Sequence, residues 1–114
     1  MPGPNIIFEV LDKDGVPVRL FDYRLRHIER GHAEAASFVL EMQSVIRSPS
    51  IITLDKDGTH HLSKLGAVGG FRHSLYLEVV IRYTGAGEDM RGEVVTAHFN
   101  RVPPKGRLVW MRKS

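Results

Sequence analysis

The stretch HSLYLEVVIRYTG, His73 to Gly85, alternates apolar and polar side chains with a period of two. Every second residue from Leu75 to Tyr83 is apolar or aromatic, which is the pattern of a β-strand with one buried face. Glu78 and Arg82 fall between them, so a carboxylate and a guanidinium share the opposite, more open face. This stretch therefore predicts a strand that forms part of a core on one side and part of a candidate site on the other.

A second strand is indicated by GEVVTAHF, residues 92–99, which alternates in the same way. We expect Val95 on the core side and Val94, Thr96 and His98 on the open side. If the two strands pair, an acid, a guanidinium, a hydroxyl and an imidazole become neighbours, and such a set can transfer protons and stabilise an oxyanion. The alternative is that this is simply the polar face that many antiparallel sheets turn to solvent.

Two hairpins are predicted from turn signals between β-prone runs. In IIFEVLDKDGVPVRLF, residues 6–21, the runs flank Asp14-Gly15, and in IITLDKDGTHHLSKL, residues 51–65, the pentapeptide LDKDG occurs a second time. Neither copy continues into the ligand series of an EF-hand, which ends in a bidentate glutamate. We therefore interpret both copies as turns.

Helices are predicted between the two hairpins. Asp22 is expected to cap a short helix, YRLRHIERG, that Gly31 ends in the left-handed conformation. From Ala33 to about Arg47 apolar residues recur every three or four positions, which predicts a second helix that stops at Ser48-Pro49. The expected architecture is α+β, with an N-terminal hairpin and two helices packed on one face of an antiparallel sheet of about four strands.

The composition is that of one globular domain spanning residues 1–114. Apolar residues make up 42% and charged residues 25% of the chain, and no apolar run approaches the roughly 18 residues that a membrane helix needs. The N-terminal MPGPN lacks the basic and apolar regions of a secretory signal, so we expect a cytoplasmic protein. Cysteine is absent, which excludes thiol nucleophiles and thiolate metal sites.

The positive charge is unevenly distributed along the chain. The net charge is +3, but residues 101–114 carry five basic side chains and no acidic one, and four arginines lie between residues 19 and 30. A polyanion would be attracted to such surfaces with salt-sensitive affinity. Basic surfaces are also a common solubility feature, so the charge by itself leaves both interpretations open.

The stretch RHIERGHAE, residues 26–34, contains two histidines whose role depends on Gly31. In one continuous helix, His27 and His32 would lie about 140° apart, too far for the i, i+4 pair that binds a metal, and His32 would join the buried stripe. If Gly31 breaks the helix, His32 stands at the start of the second helix, where backbone N–H groups favour an anion. His27 and Arg30 would then face that anion; otherwise they belong to a solvated surface.

These segments together resemble the phage-associated Barnase-EndoU-colicin-RelE-like (PBECR) nucleases. The resemblance rests on RHIERGHAE, VIRSPSIITLD, LYLEVVIRY and EVVTAHF, and it covers about two thirds of the chain, from Arg24 to Phe99. Family members have a His-x-x-x-Arg-His-Pro-Glu-like opening before a helix that ends near a proline, and a last strand that often closes with Thr-Ala-Tyr. The resemblance implies a barnase- or RelE-like α+β fold and metal-independent RNA cleavage, often in a toxin or mobile-element setting.

Site residues follow from the resemblance where the motifs match. On matching positions it points to His27, His32 and Thr96. His98 stands where the family often has tyrosine, and Gly31 and Ala33 depart from its Arg-His-Pro form. Arg30 falls one position short of the family's arginine and is a candidate for substrate binding.

RNA cleavage without a metal requires a base for the ribose 2′-hydroxyl, an acid for the leaving 5′-oxygen, and donors for the charge on phosphorus. Imidazoles suit proton transfer near neutral pH, so we predict that His27 and His98 are the base and the acid, in either order. Arg82 and Thr96 are expected to stabilise the phosphorane, and His32 to position the phosphate. The expected backbone-binding residues are Arg30, Arg101 and Lys105.

No cofactor and no metal are expected, and the expected partners are RNA and a neutralising protein such as an antitoxin or immunity protein. The alternative is a non-catalytic module that binds RNA or protein on the same fold. A metal site built from scattered histidines is a weaker rival, and the histidines without another role are His60, His61 and His73. A ribonuclease would need His27 and His98 for turnover, whereas a binding module would keep its affinity without them.

Overall fold

The stretch around Glu78 forms the central strand of a seven-stranded mixed sheet in the computed structural model, which describes residues 3–113 apart from the side chain of Phe71. Within these residues the chain forms, in order, β1 (Ile6–Leu11), β2 (Pro17–Phe21), α1 (Asp22–Gly31), α2 (Ala33–Ala36), α3 (Val39–Arg47), β3 (Ile51–Leu54), β4 (His60–Leu65), β5 (Tyr76–Thr84), β6 (Arg91–Asn100) and β7 (Arg107–Met111). Across the sheet the strand order is β1-β2-β6-β5-β4-β3-β7.

Neighbouring strands in this sheet are antiparallel except β2 and β6, which are parallel. That parallel pairing is short and joins Val18 to Gly92 and Arg19 to Glu93. Among the described residues, no strand pairs with the rest of β6 on that side. Helices α1 and α2 pack against β6. The helix layer therefore reaches the edge of β6 that β2 leaves uncovered.

The predicted architecture, two helices on an antiparallel sheet of about four strands, is wrong in strand number, strand direction and helix number. The N-terminal hairpin is confirmed, but it belongs to the same sheet because β2 pairs with β6. The hairpin of β3 and β4 is also confirmed, and it is extended by β7 in a C-terminal segment predicted only as a basic surface. The run LVWM within β7 is β-prone, and the basic residues around it concealed the strand.

The predicted second helix is interrupted at Ser37 and Phe38, so α2 and α3 are separate. Phe38 has φ −111° and ψ 46°, outside the helical region, and its ring packs edge-on against Phe99 of β6 with 5.6 Å between centroids. Contact between these two aromatic rings outweighs the helical pattern of the flanking residues. The end of α3 at Arg47, before Ser48-Pro49, is confirmed.

The ends of α1 also differ from the prediction. The helix begins at Asp22 itself, after Phe21, which provides no side-chain cap, and Asp22 Oδ1 accepts a hydrogen bond from the N–H of Tyr23. Gly31 ends the helix as predicted but does not have a positive φ. His32, with φ −144° and ψ 59°, makes the turn into α2. In the described part of the chain, no helix combines the length and the apolar character needed to cross a membrane.

A hydrophobic core lies on the inner face of the sheet. The central strand supplies Leu77, Val79 and Ile81, which are fully buried as predicted, but Glu78 and Val80 on the opposite face are buried as well, so the predicted open face begins only at Arg82. The helices add to the same core the buried side chains of Ile28, Ala35, Met42, Val45 and Ile46. Because the inner positions are apolar, the alternate residues of the central strands are left for the outer face.

A β-bulge shifts the predicted alternation of β6. Val80 pairs with Thr96 and Ile81 pairs with Val94, so Val95 is an extra residue in β6. Val94 is consequently buried and Val95 is partly exposed, the reverse of the prediction. Beyond the bulge, the predicted alternation continues to the end of the strand.

Gly92 in β6 lies where a larger residue does not fit. A Cβ at this position would be 2.9 Å from Ile81 Cγ2 and 3.1 Å from Tyr83 Cε1. We expect Gly92→Ala to lower the free energy of unfolding by about 1–3 kcal/mol, because these neighbours must move. Gly31→Ala is the matched control, since nothing lies within 4 Å of its added methyl group. Its stability should be unchanged or slightly raised; equal urea-unfolding free energies for the two variants would contradict this packing.

Candidate active site on the outer sheet face

The outer face of β5 carries a buried carboxylate, that of Glu78, whose side chain is 3% exposed. Its Oε2 lies 2.6 Å from Nδ1 of His61 in β4 and 3.3 Å from Nε2 of His98 in β6. Its Oε1 accepts a hydrogen bond from the side-chain amide of Asn100. We call these four residues the imidazole–carboxylate centre.

Strand register brings these residues together. Ser63, Glu78 and His98 lie directly opposite one another on three adjacent strands. His61, which pairs with Val80, is a diagonal neighbour of Glu78. Because opposite and diagonal positions on one sheet face are within side-chain reach, the centre follows from the antiparallel pairing of β4, β5 and β6.

Two opposing effects set the charge of Glu78. Burial raises the pKa of Glu78, but the hydrogen bonds and positive charges of His98 and His61 together outweigh burial and lower that pKa below its ordinary value. Glu78 is therefore ionised at neutral pH. An ionised carboxylate at this position orients both imidazole rings and stabilises positive charge on them.

The second LDKDG turn, between β3 and β4, supports His61 from the other side. Asp57 Oδ1 accepts hydrogen bonds from the hydroxyl and the backbone N–H of Thr59, and these bonds lower the pKa of Asp57. The hydroxyl proton of Thr59 goes to Asp57, so its oxygen accepts a hydrogen bond from Nε2 of His61 at 3.1 Å. Nδ1 of His61 lies 2.6 Å from Oε2 of Glu78, so both ring nitrogens of His61 have hydrogen-bond partners. The position of the His61 ring is thus fixed from both sides.

His98 differs from His61 in the surroundings of its two ring nitrogens. Nε2 faces Glu78, whereas Nδ1 is buried and has no hydrogen-bond partner among the described residues. The ring of His32, at the junction of α1 and α2, lies 4.9 Å from the ring of His98 between centroids, with 38° between the planes. Two imidazoles therefore lie side by side next to a carboxylate.

Two hydroxyl groups of the outer face, like Nδ1 of His98, have no partner among the described residues. Ser63 Oγ and Thr96 Oγ1 are buried and form no hydrogen bond within the part of the chain that is described. Ser63 lies opposite Glu78, and Thr96 lies two residues before His98 on the same face. Buried hydroxyls of this kind are uncommon in folded proteins because leaving them unpaired is costly. Thr96, predicted as an oxyanion donor, thus retains an unused hydroxyl beside the centre.

The structure separates the predicted acid and base. His27 is exposed on α1 and, among the described residues, shares no hydrogen bond or ring contact with His98. The ring beside His98 is that of His32. The helix does break at Gly31, so His32 stands at the start of α2, as one of the two predicted alternatives has it; α2 has four residues, and the ring of His32 packs beside that of His98.

One predicted catalytic residue, Arg82, and the predicted binding residues lie outside the imidazole–carboxylate centre. Arg82, expected to stabilise the phosphorane, is on the same sheet face, but it is four residues, about 13 Å, from Glu78 along β5. Its Nη1 donates a long hydrogen bond of 3.4 Å to the carbonyl of Asp57. Three further residues are exposed at separate places, Arg30, Arg101 and Lys105.

The histidines without a predicted role do not converge. His60 and His61 are adjacent in β4 and point to opposite faces; His60 packs edge-on against Tyr83, and burial, with the charge of His61, lowers the pKa of His60. Nδ1 of His73 donates to the carbonyl of Gly70 in a loop. Residues 3–113 contain no group of three His, Cys, Asp or Glu side chains placed to hold a metal ion.

Three members of the site were not predicted, namely Thr59, His61 and Asn100. Signals for them exist in the sequence: Thr59 and His61 are two residues apart, as on one strand face, and Asn100 extends the polar face of β6. The register of β4 against β5 is not readable from the sequence, and without it nothing links His61 to Glu78.

Glu78→Gln should strongly destabilise the fold. The substitution keeps the shape of the side chain but removes the buried carboxylate that His61, His98 and Asn100 surround, a loss of roughly 3–5 kcal/mol in unfolding free energy. The loss should be largest above pH 4.5, the ordinary pKa of this carboxyl group. It should shrink as the pH falls further, because a pKa lowered in the folded state gives stability that protonation removes.

The control for this substitution is Glu9→Gln. It removes an exposed carboxylate paired with Arg19, and it should cost less than about 1 kcal/mol. Denaturant unfolding of both variants over a range of pH gives the comparison. Equal losses for the two variants at neutral pH would show that Glu78 is not a buried counter-charge.

Comparison with known proteins gives this chain no family. No family model matches it, no curated protein matches it, and no solved structure matches it. The function of the site is therefore argued from its own geometry and chemistry.

Proposed function

We propose that the imidazole–carboxylate centre, together with His32, is the active site of a metal-independent ribonuclease. The proposed reaction is attack by a ribose 2′-hydroxyl on the adjacent phosphodiester, which yields a 2′,3′-cyclic phosphate and a 5′-hydroxyl. The observation that supports it most strongly is the pair of adjacent imidazoles, one of which contacts an ionised, buried carboxylate. Two such groups can supply the base and the acid that this reaction needs.

Proton transfer is assigned to His98 and His32. One imidazole removes the proton of the 2′-hydroxyl, and the other gives a proton to the departing 5′-oxygen. Because Glu78 stabilises positive charge on His98, it supports His98 both when that residue gains a proton and when it holds one for donation. Glu78 and His61 are positioning residues, since they act through His98.

Donors and cations near the centre are assigned to the charge that grows on the phosphate. Thr96 is assigned as a donor because its hydroxyl, buried beside His98, has no hydrogen-bond partner within residues 3–113. Arg101 directly follows Asn100, whose amide belongs to the centre, and provides positive charge at that end of β6. The exposed cations assigned to flanking phosphates are Arg30 and Lys105.

The proposal includes a cellular setting. A ribonuclease acts where its substrate RNA is present, so we place the protein in the cytoplasm. A toxin-like activity of the kind that the PBECR resemblance implies would need control, and a neutralising protein partner is part of the proposal for that reason.

Removal of either imidazole should reduce turnover and spare binding. We expect His98→Ala and His32→Ala each to lower cleavage of labelled RNA in EDTA by about 10²–10⁴-fold, because each removes a proton-transfer group. Filter-binding affinity for the same RNA should change little. His73→Ala is the control, since this histidine is exposed and hydrogen-bonded to a loop carbonyl, and it should cleave at the wild-type rate.

His27 distinguishes the pairing predicted from the sequence from the one proposed on the structure. His27→Ala should retain most of the cleavage activity, because the residue is exposed on α1 and has no contact with His98 within the described residues. If His27→Ala loses as much cleavage activity as His98→Ala, then His27 and His98 are the acid–base pair, as the sequence predicted.

The alternative function, a non-catalytic module that binds RNA or protein, predicts another outcome in the same assays. The wild type would then bind RNA without cleaving it, and the His98 and His32 variants would bind equally well. That result would reject the nuclease. Absence of both cleavage and binding would reject RNA as the ligand.

A further inference from the structure

The outer sheet face holds a second feature, a cleft of about 470 Å³ near the start of β6. Arginines from four different elements line it, namely Arg19 of β2, Arg24 of α1, Arg82 of β5 and Arg91 of β6. We call it the arginine cleft. Strand pairing places its floor on the same outer face as the imidazole–carboxylate centre, because Arg82 lies opposite Glu93 and shares its face with Glu78.

The positive charge of the arginine cleft is only partly compensated. Arg24 binds Glu93, an acidic residue of the lining, at 2.9 Å, and Arg19 pairs with a carboxylate outside the cleft. Arg82 and Arg91 form no salt bridge among the described residues, and each donates a long hydrogen bond of 3.4 Å to a backbone carbonyl. Two guanidinium groups therefore have donors available for an anion.

Flat side chains form another part of the wall. Phe21 and Tyr23 are stacked, with 5.8 Å between centroids and 14° between planes, and the guanidinium of Arg24 lies over Tyr23 at 5.2 Å from the ring centroid. The Tyr23 hydroxyl donates to Glu93 at 2.7 Å, which fixes the ring. Aromatic rings and guanidinium planes are the surfaces on which unpaired nucleic-acid bases stack.

We propose that the arginine cleft binds one nucleotide of single-stranded RNA beside the cleavage site, with its phosphate on Arg82 and Arg91 and its base against the Phe21–Tyr23 wall. Arg82 is about 13 Å from Glu78 along β5, so this nucleotide flanks the scissile phosphate. The role in cleavage rests on the proposed ribonuclease function, whereas nucleotide binding by the cleft does not. The substrate is single-stranded because stacking requires an unpaired base.

Titration of the isotope-labelled protein with adenosine 5′-monophosphate, and separately with inorganic phosphate, tests the site by NMR of the backbone amides. We expect shifts centred on the cleft and tighter binding of the nucleotide than of phosphate. The Arg82→Gln/Arg91→Gln variant should bind the nucleotide about tenfold more weakly or worse, because it removes the two guanidinium groups without salt bridges.

Arg47→Gln/Arg107→Gln is the matched control. It removes the same positive charge from exposed positions outside the cleft, and its affinity for the nucleotide should equal that of the wild type. All four arginines are exposed, so both variants should fold, and their melting temperatures verify this. In an RNA cleavage assay the cleft variant should raise KM more than it lowers kcat, because it removes binding away from the reacting phosphate.

The two proposals fail in different ways. If the wild type binds the nucleotide and the cleft variant does not, the arginine cleft is supported as a binding site. This holds even if the wild type cleaves no RNA, because absence of cleavage rejects only the proposed ribonuclease function. No nucleotide binding by the wild type, or equal binding by the wild type and the cleft variant, overturns the site. If the wild type binds inorganic phosphate as tightly as the nucleotide, the assignment of the cleft to a nucleotide is overturned. If an equal concentration of oligoglutamate displaces the nucleotide, the ligand is an acidic protein and not a nucleic acid.

Discussion

The contacts of Glu78 with two histidines, a hydrogen bond with His61 and a 3.3 Å ion-pair contact with His98, are the interaction on which the outer face depends. A carboxylate that is 3% exposed must be bound by counter-charges, since an unpaired buried charge costs several kcal/mol. His61 and His98 meet this need only while β4, β5 and β6 keep their register, because a shift by one residue turns every side chain to the other face. The centre and the pairing of the central strands therefore stabilise each other.

The two faces of the sheet are kept distinct by a local irregularity in β6. In a regular strand Val94 and His98 would share a face, but the extra residue Val95 allows Val94 to remain in the core while His98 faces outward. The helices complete the site from the side. Because β2 pairs with only a short part of β6, the junction of α1 and α2 can approach the edge of β6 and bring His32 to His98.

The outer face combines two chemical environments along one strand. The end near Glu78 has imidazoles suited to proton transfer, and the end near Arg82 has guanidinium groups suited to holding phosphate. Their separation of about 13 Å along β5 allows one extended ligand to contact both, with the reacting phosphate at one end and a flanking nucleotide at the other.

The alternation of Leu75–Tyr83 places Glu78 on one face of its strand, and that of residues 95–99 places His98 on one face of the next, because the period of a strand is a local property. The two side chains share a sheet face because these strands pair, as the prediction assumed. Partners that depend on distant pairing were not predictable. The link from His61 to Glu78 needs the register of β4 with β5, and the parallel pairing of Val18 with Gly92 joins segments more than 70 residues apart in the sequence. At Phe38, tertiary packing of the ring overrides a helical pattern.

The central claim is that this centre activates a ribose 2′-hydroxyl. The most direct test is analysis of the product ends after cleavage in EDTA of an RNA oligonucleotide, beside the same oligonucleotide with a single 2′-deoxy residue at the cleavage site. We expect 2′,3′-cyclic phosphate and 5′-hydroxyl ends from the first substrate and no cleavage at the deoxy position of the second. Products with 5′-phosphate ends, or cleavage at the deoxy position, would contradict the claim, because the nucleophile would then be water.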